Sequence, residues 1–230
     1  MKTPPKDKGA VDIAREAGRA ATSLVPVVGG PLQVVFENLF GSPLEKRRQA
    51  WLEQLADALT EVENRVDGLS PEKLATNEAF VTVAMQASQI AVRNHHEAKL
   101  EALRNAVMNA ALPRPPHEDE QMIFLRLIDQ LTPWHLRLLA VLDNPAAWMQ
   151  RNSVTNPGWS MGGVSNVIEH CLPDLRGQRD VYEQIVRDFQ GEGLIGQGQF
   201  LNVTMTGTGI MESRTTARGK RFISFITAPE

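Results

Sequence analysis

The stretch that most limits how this chain can fold is VYEQIVRDFQGEGLI, residues 181–195, together with the turn-rich run at 204–226. Tyr182, Ile185, Val186 and Phe189 recur at three- and four-residue spacing, which places them on one side of a helix. Gly191 and Gly193 follow, and glycine readily takes the positive φ at which helices stop. Leu194 and Ile195 then begin an apolar strand. The pattern predicts a helix that turns directly into a β-ribbon, with residues 204–226 supplying a hairpin and a closing segment.

Upstream, the apolar spacing is helical almost throughout. Val11, Ala14, Ala17 and Ala21 allow a weakly amphipathic helix that Pro26 ends. Pro31 opens the next, with Leu32, Val35, Phe36, Leu39 and Phe40 on one face before Gly41. SPLE at 42–45 fits a capping box, so a further helix starts there, carries Trp51, Leu52, Leu55, Leu59, Val62 and Val66, and stops near Gly68. SPE at 70–72 begins a long helical region that passes Phe80, Ala84, Ala87 and Ile90 and reaches Leu103, Val107 and Ala111, with a break placed near Asn94 and His95.

PRPP at 113–116 cannot continue a helix, because three prolines remove amide donors and restrict the residues before them. We place a domain boundary there. The resulting organisation is a polar tail at 1–9, a helical bundle at 10–112, a Pro-rich linker at 113–117 and a second domain at 118–230. In that second domain Ile123, Phe124, Leu127 and Ile128 mark one helix, and Thr132 with Pro133 opens another that carries Leu136, Leu139 and Leu142. A polar loop at 150–163, a brief helix at 164–171 and a helix at 178–190 complete it.

LTPWHLRLL (131–139), the helix ending in GEGLI (191–195) and TTARGKRF (215–222) together resemble a bacterial winged helix-turn-helix domain over about residues 118–228. The resemblance implies a mainly α protein: an N-terminal helical bundle plus a C-terminal winged helix of three helices with a small β-hairpin wing. In DNA-binding members a recognition helix enters the major groove and the wing touches the backbone. The matching positions are Arg179, Gln184 and Arg187 on the helix, and Arg214, Arg218, Lys220 and Arg221 on the wing and its exit. These are candidates for contact with nucleic acid or a partner. Asp180, Glu183 and Asp188 share the helix and repel phosphate, and the chain's formal charge is −3. The balance favours a protein partner or self-association, with nucleic-acid contact through the wing left open.

Residues 24–40, LVPVVGGPLQVVFENLF, form the most apolar stretch. They are too short and too interrupted by Pro and Gly for a transmembrane helix. One reading is a core hairpin; the other is a segment that inserts into membrane through Leu32, Val35, Phe36, Leu39 and Phe40. An apolar helical N-terminal region followed by LTPWHLRLLAVLDNP (131–145) is similar to the abortive-infection alpha proteins of bacterial phage defence. That similarity implies, as the alternative function, an antiviral effector that perturbs membranes.

Little in the chain suggests catalysis. GEGLIG at 191–196 spells GxGxxG, but the dinucleotide site needs those glycines after a strand and ahead of a helix, the reverse of this order. His95, His96 and Glu97 are adjacent, so a helix would splay them rather than converge them on a metal. His170 and Cys171 fail as a nucleophile pair for the same reason, and the only cysteine excludes a disulfide within the chain. The N-terminus lacks the continuous apolar core of a secretory signal. The expectation is a cytoplasmic, non-enzymatic recognition or regulatory protein without cofactor, metal or small-molecule substrate.

Overall fold

The computed structural model describes residues 42–66 and 69–229. The tail at 1–9, the helix expected at 10–24 and the apolar stretch at 24–40, with Leu32, Val35, Phe36, Leu39 and Phe40, lie outside the described residues. Two compact units divide the chain between Arg47 and Arg48, and the second, to residue 230, contains the core.

The described chain is mainly α-helical. Helix α1 spans Ser42–Arg65 and buries Trp51, Leu55, Ala58 and Val62. The long helical region expected after residue 70 is three helices: α2 (Pro71–Thr76), α3 (Glu78–Arg93) and α4 (Glu97–Ala111). Ser70 Oγ caps α2 by accepting from the Lys73 amide, and Asn77 Oδ1 caps α3 by accepting from the Phe80 amide. The Asn77 break escaped the periodicity because Leu74 and Val81, seven residues apart, keep helical spacing across it. The second break falls at 94–96, as expected, where Asn94 Nδ2 donates to the Ile90 carbonyl.

Helices α5 (Glu118–Gln130), α6 (Pro133–Asp143) and α7 (Pro145–Arg151) follow. Strand β1 (Met161–Gly162), α8 (Val164–Cys171) and a 3-10 turn at Pro173–Leu175 lead to α9 (Arg179–Gly191). A second 3-10 turn at Phe200–Asn202 precedes β2 (Met205–Thr206), α10 (Gly207–Ile210) and α11 (Ala217–Ile226).

The stop of α9 follows from local chemistry. Gly193 sits at φ +67, the Leu194 amide donates to the Phe189 carbonyl at 2.8 Å and the Gly193 amide to the Gln190 carbonyl at 3.1 Å. This is a Schellman closure, which uses carbonyls the helix end leaves unpaired.

Two expectations need correcting. The first is the ribbon. Strand β1 pairs antiparallel with β2, Met161 opposite Thr206, whereas Ile195 meets Thr215 in a single bridge. Residues 217–222, expected as wing and closing segment, begin helix α11. Thr216 Oγ1 accepts from the Gly219 amide and caps the helix, while Phe222 and Phe225 form its buried face. Gly219 has a packing role rather than a turning one: a side chain there would run into the Leu194 carbonyl.

The second correction concerns residues 113–117. They turn the chain inside one core instead of separating two. Leu103 and Val107 of α4, Phe124 and Leu127 of α5, and Phe222 and Phe225 of α11 belong to one buried cluster. Phe124 packs its ring against Phe222 and Phe225, at centroid distances of 5.4 and 5.6 Å. Lys99 of α4 donates from Nζ to the Asp129 carbonyl of α5 at 2.8 Å. Prolines stop a helix through local geometry, and this does not decide whether the apolar faces on either side then meet.

Candidate recognition surfaces

The expected recognition residues begin on α9. Tyr182, Ile185, Val186 and Phe189 face inward, and Arg179, Asp180, Gln184 and Arg187 are exposed. Arg179 donates from Nε to Glu183 Oε1 at 2.7 Å and from Nη2 to Asn202 Oδ1 at 2.6 Å. The Glu183 hydrogen bond pushes the Arg179 pKa upward. Arg187 donates to Gln184 Oε1 at 2.9 Å, Gln184 donates in turn to Asp188 Oδ1 at 2.7 Å, and the other Asp188 oxygen lies 3.2 Å from His135 Nε2. The helix carries Arg179 and Arg187 against Asp180, Glu183 and Asp188, an acidic balance.

The remaining cations do not form a wing patch. Arg214 is half-buried: its guanidinium donates to the Gly209 carbonyl and lies 5.7 Å from the centre of the Phe200 ring, and its amide donates to the Leu142 carbonyl at 2.8 Å. It ties loop segments together. Arg218, Lys220 and Arg221 lie on α11, where Lys220 is exposed. Arg218 is 4.0 Å from Glu192 Oε2, which also accepts from Arg126 at 3.1 Å, and Arg221 donates to Glu120 at 2.8 Å. The structure thus brings Arg218 to the end of α9 and gives the Arg214 side chain a structural role. Glu120 and Glu192 were missed as site residues, because their pairing depends on helices distant in sequence.

Asp174 shows the same habit of spending charge internally. Burial works to raise its pKa, but hydrogen bonds from Arg137 and Trp134, with the Arg137 charge, hold the carboxyl below its usual range. These contacts fasten the 3-10 turn before α9 to α6.

The other conspicuous side chains lie in the α3–α4 turn and at the end of α8. His95 and His96 are exposed, with ring centroids 4.0 Å apart, in the α3–α4 turn. Burial pushes the Cys171 thiol up to about 11, so it stays protonated, and His170 Nε2 lies 2.7 Å from the Thr155 carbonyl. Among the described residues no three His, Cys, Asp or Glu side chains are grouped to hold a metal ion, and no helix is long and apolar enough to cross a membrane.

The feature that periodicity did not single out is a groove of about 860 Å³ between α1 and α3, lined by Trp51, Leu52, Leu55, Phe80 and Met85 among others. Leu52 is 46% exposed and Met85 60%. A signal was present: Trp51, Leu52 and Leu55 make the apolar stripe of α1 wider than one packing partner needs.

No family model, curated protein or solved structure matches this chain.

Proposed function

We propose that this protein is a non-enzymatic recognition protein whose C-terminal helices and short ribbon, ordered as in a winged helix, meet a protein partner rather than nucleic acid. The observation that carries this reading is the internal neutralisation of its cations: Arg179 by Glu183, Arg218 and Arg126 by Glu192, and Arg221 by Glu120. Phosphates recruit protein through net local positive charge and release of counterions, and an acidic α9 works against both.

The expected result with labelled duplex DNA is weak binding, with a dissociation constant no tighter than about 10 μM at near-physiological salt. Replacing Arg218, Lys220 and Arg221 together should lower any residual affinity alike for all sequences. Tight binding that distinguishes one duplex from another, measured by fluorescence anisotropy, would identify a DNA regulator instead.

The alternative, a membrane-perturbing defence effector, is favoured by one feature: residues 24–40 carry Glu37 as their only charge. On that reading Val35→Asp abolishes dye release from anionic vesicles and leaves thermal unfolding unchanged, since a charge opposes entry into hydrocarbon. On the core reading the same change impairs folding and soluble yield, which is the outcome we expect.

A further inference from the structure

We propose that the pocket between α9 and the loop at 196–202 takes the C-terminal residue of a partner protein, with its α-carboxylate on Arg187 and its apolar side chain on the pocket floor. The proposal rests on the reading that α9 meets a protein, and it names what that partner presents.

Local chemistry builds the pocket. Glu183, Val186, Arg187 and Gln190 recur at three- and four-residue spacing, so they share one face of α9, and the loop forms the opposite wall. Side chains tie that loop to the helix at both ends. Gln190 Nε2 donates to the carbonyls of Gly196 and Gly198 at 3.2 and 3.1 Å, and Gln197 Nε2 donates back to the Gln190 carbonyl at 2.8 Å. At the other end Arg179 Nη2 donates to Asn202 Oδ1 at 2.6 Å. Between the ties lies a cavity of about 350 Å³. Ligand pockets begin at about 300 Å³, so this one suits a single residue rather than a length of chain.

The pocket's chemistry selects the ligand. Val186, Phe200 and Leu201 are buried and give the lining an apolar floor. Arg187 is exposed and, among the described residues, has no carboxylate partner: it donates from Nη2 to the neutral Gln184 Oε1, which leaves its charge and its other N–H groups available. The backbone amides of Gly198 and Gln199, two more lining residues, find no acceptor among the described residues. Successive free amides beside an arginine favour an anion. Glu183 is the carboxylate of the lining, and Arg179 Nε holds its Oε1 at 2.7 Å and offsets its charge. Its Oε2 remains to accept an N–H from the ligand. A chain end carries all three complements on one Cα: a carboxylate for Arg187 and the free amides, an amide N–H for Glu183, and a side chain for the floor. Phosphate lacks the apolar part, and an internal Asp or Glu spends its side chain on charge. Capture of a chain end by backbone amides is a recurring mode of peptide recognition.

The test uses the intact chain and short dye-labelled Gly-Ser peptides that end in leucine with a free carboxylate, in leucine amide, or in glycine with a free carboxylate. Fluorescence anisotropy should show the leucine acid binding about ten-fold or more tighter than either of the others, which lack the charged acceptor or the buried side chain. Arg187→Gln, at an exposed position, should erase the preference for acid over amide. Unlabelled leucine acid peptide should displace the labelled one, and free leucine and inorganic phosphate at the same concentration should not. Displacement by phosphate would make the pocket a general anion site, and displacement by leucine would assign it to a free amino acid; either overturns the proposal. Equal binding of acid and amide, a preference that survives Arg187→Gln, or no binding by any peptide overturns it as well. The protein-partner reading is judged separately: tight, sequence-selective DNA binding sinks that reading whatever the peptides do, whereas weak DNA binding with silent peptides removes this pocket alone.

Discussion

Phe124→Ala should destabilise the protein by about 3–5 kcal/mol, and α3 and α4 should unfold in the same transition as the C-terminal helices. Phe124 is fully buried where α4, α5 and α11 converge, with the rings of Phe222 and Phe225 against it. Removing the ring forfeits its transfer free energy and leaves a cavity, since close-packed neighbours relax only in part. The site lies beyond the PRPP turn in sequence, yet its neighbours include helix α4 before that turn. Urea unfolding followed by far-UV circular dichroism and by tryptophan fluorescence from Trp51 alone, the other three tryptophans being replaced, checks this. Coincident curves, both shifted by the substitution, are expected. A Trp51 transition that stays where it was while the bulk signal moves would mean that the N-terminal helices fold by themselves.

Asn109→Ala should cost about 2–4 kcal/mol and loosen the end of α11. Asn109 is nearly buried, and its Nδ2 lies 2.8 Å from the Thr227 carbonyl, 3.0 Å from that of Phe225, 3.3 Å from that of Ser224 and 2.9 Å from that of Asn105. Two amide hydrogens serve these four acceptors by sharing. Asn105 adds a bond from Nδ2 to the Ile226 carbonyl at 3.0 Å. A helix end leaves its last carbonyls unpaired, and here side chains of α4 satisfy those of α11 in place of a glycine cap. Alanine would remove this donor from the carbonyls of Thr227 and buried Phe225, whereas Asn105→Ala removes one bond and should cost less. Hydrogen exchange at the last amides of α11 gives the local readout. A stability change within about 0.5 kcal/mol, the usual range of surface substitutions, and unaltered exchange would show that the Asn109 bonds do not anchor the terminus.

These two sites mark where sequence reading stops. Phe124 was legible as an inward residue from its spacing with Leu127 and Ile128, but not the identity of the rings it meets. Asn109 carried no signal, because an asparagine late in a helix reads as a polar surface position until another helix end is placed against it. Among the candidate site residues, Arg179, Gln184 and Arg187 are exposed on α9 as expected, whereas Arg214 is drawn inward to the Gly209 carbonyl and Phe200. The spacing of Gly219, Phe222 and Phe225 is helical and Thr216 is a good cap, so α11 was in principle readable. The turn propensity of glycine led instead to a ribbon.

Interactions within a few residues are what the sequence alone determined: the helical stretches, the caps at Ser70 and Thr132, the proline stop after α4, and the left-handed Gly193 that closes α9. Each depends on bonds between near neighbours, whose geometry the residue types already specify. Only the tertiary structure decided that one core spans the PRPP turn, that Glu120 and Glu192 take up the charge of Arg221, Arg126 and Arg218, and that α1 and α3 leave an apolar groove between them. Burial of apolar surface is non-directional, so periodicity tells which face of a helix turns inward but not which other face it meets. The partners of charges and carbonyls then follow from that packing.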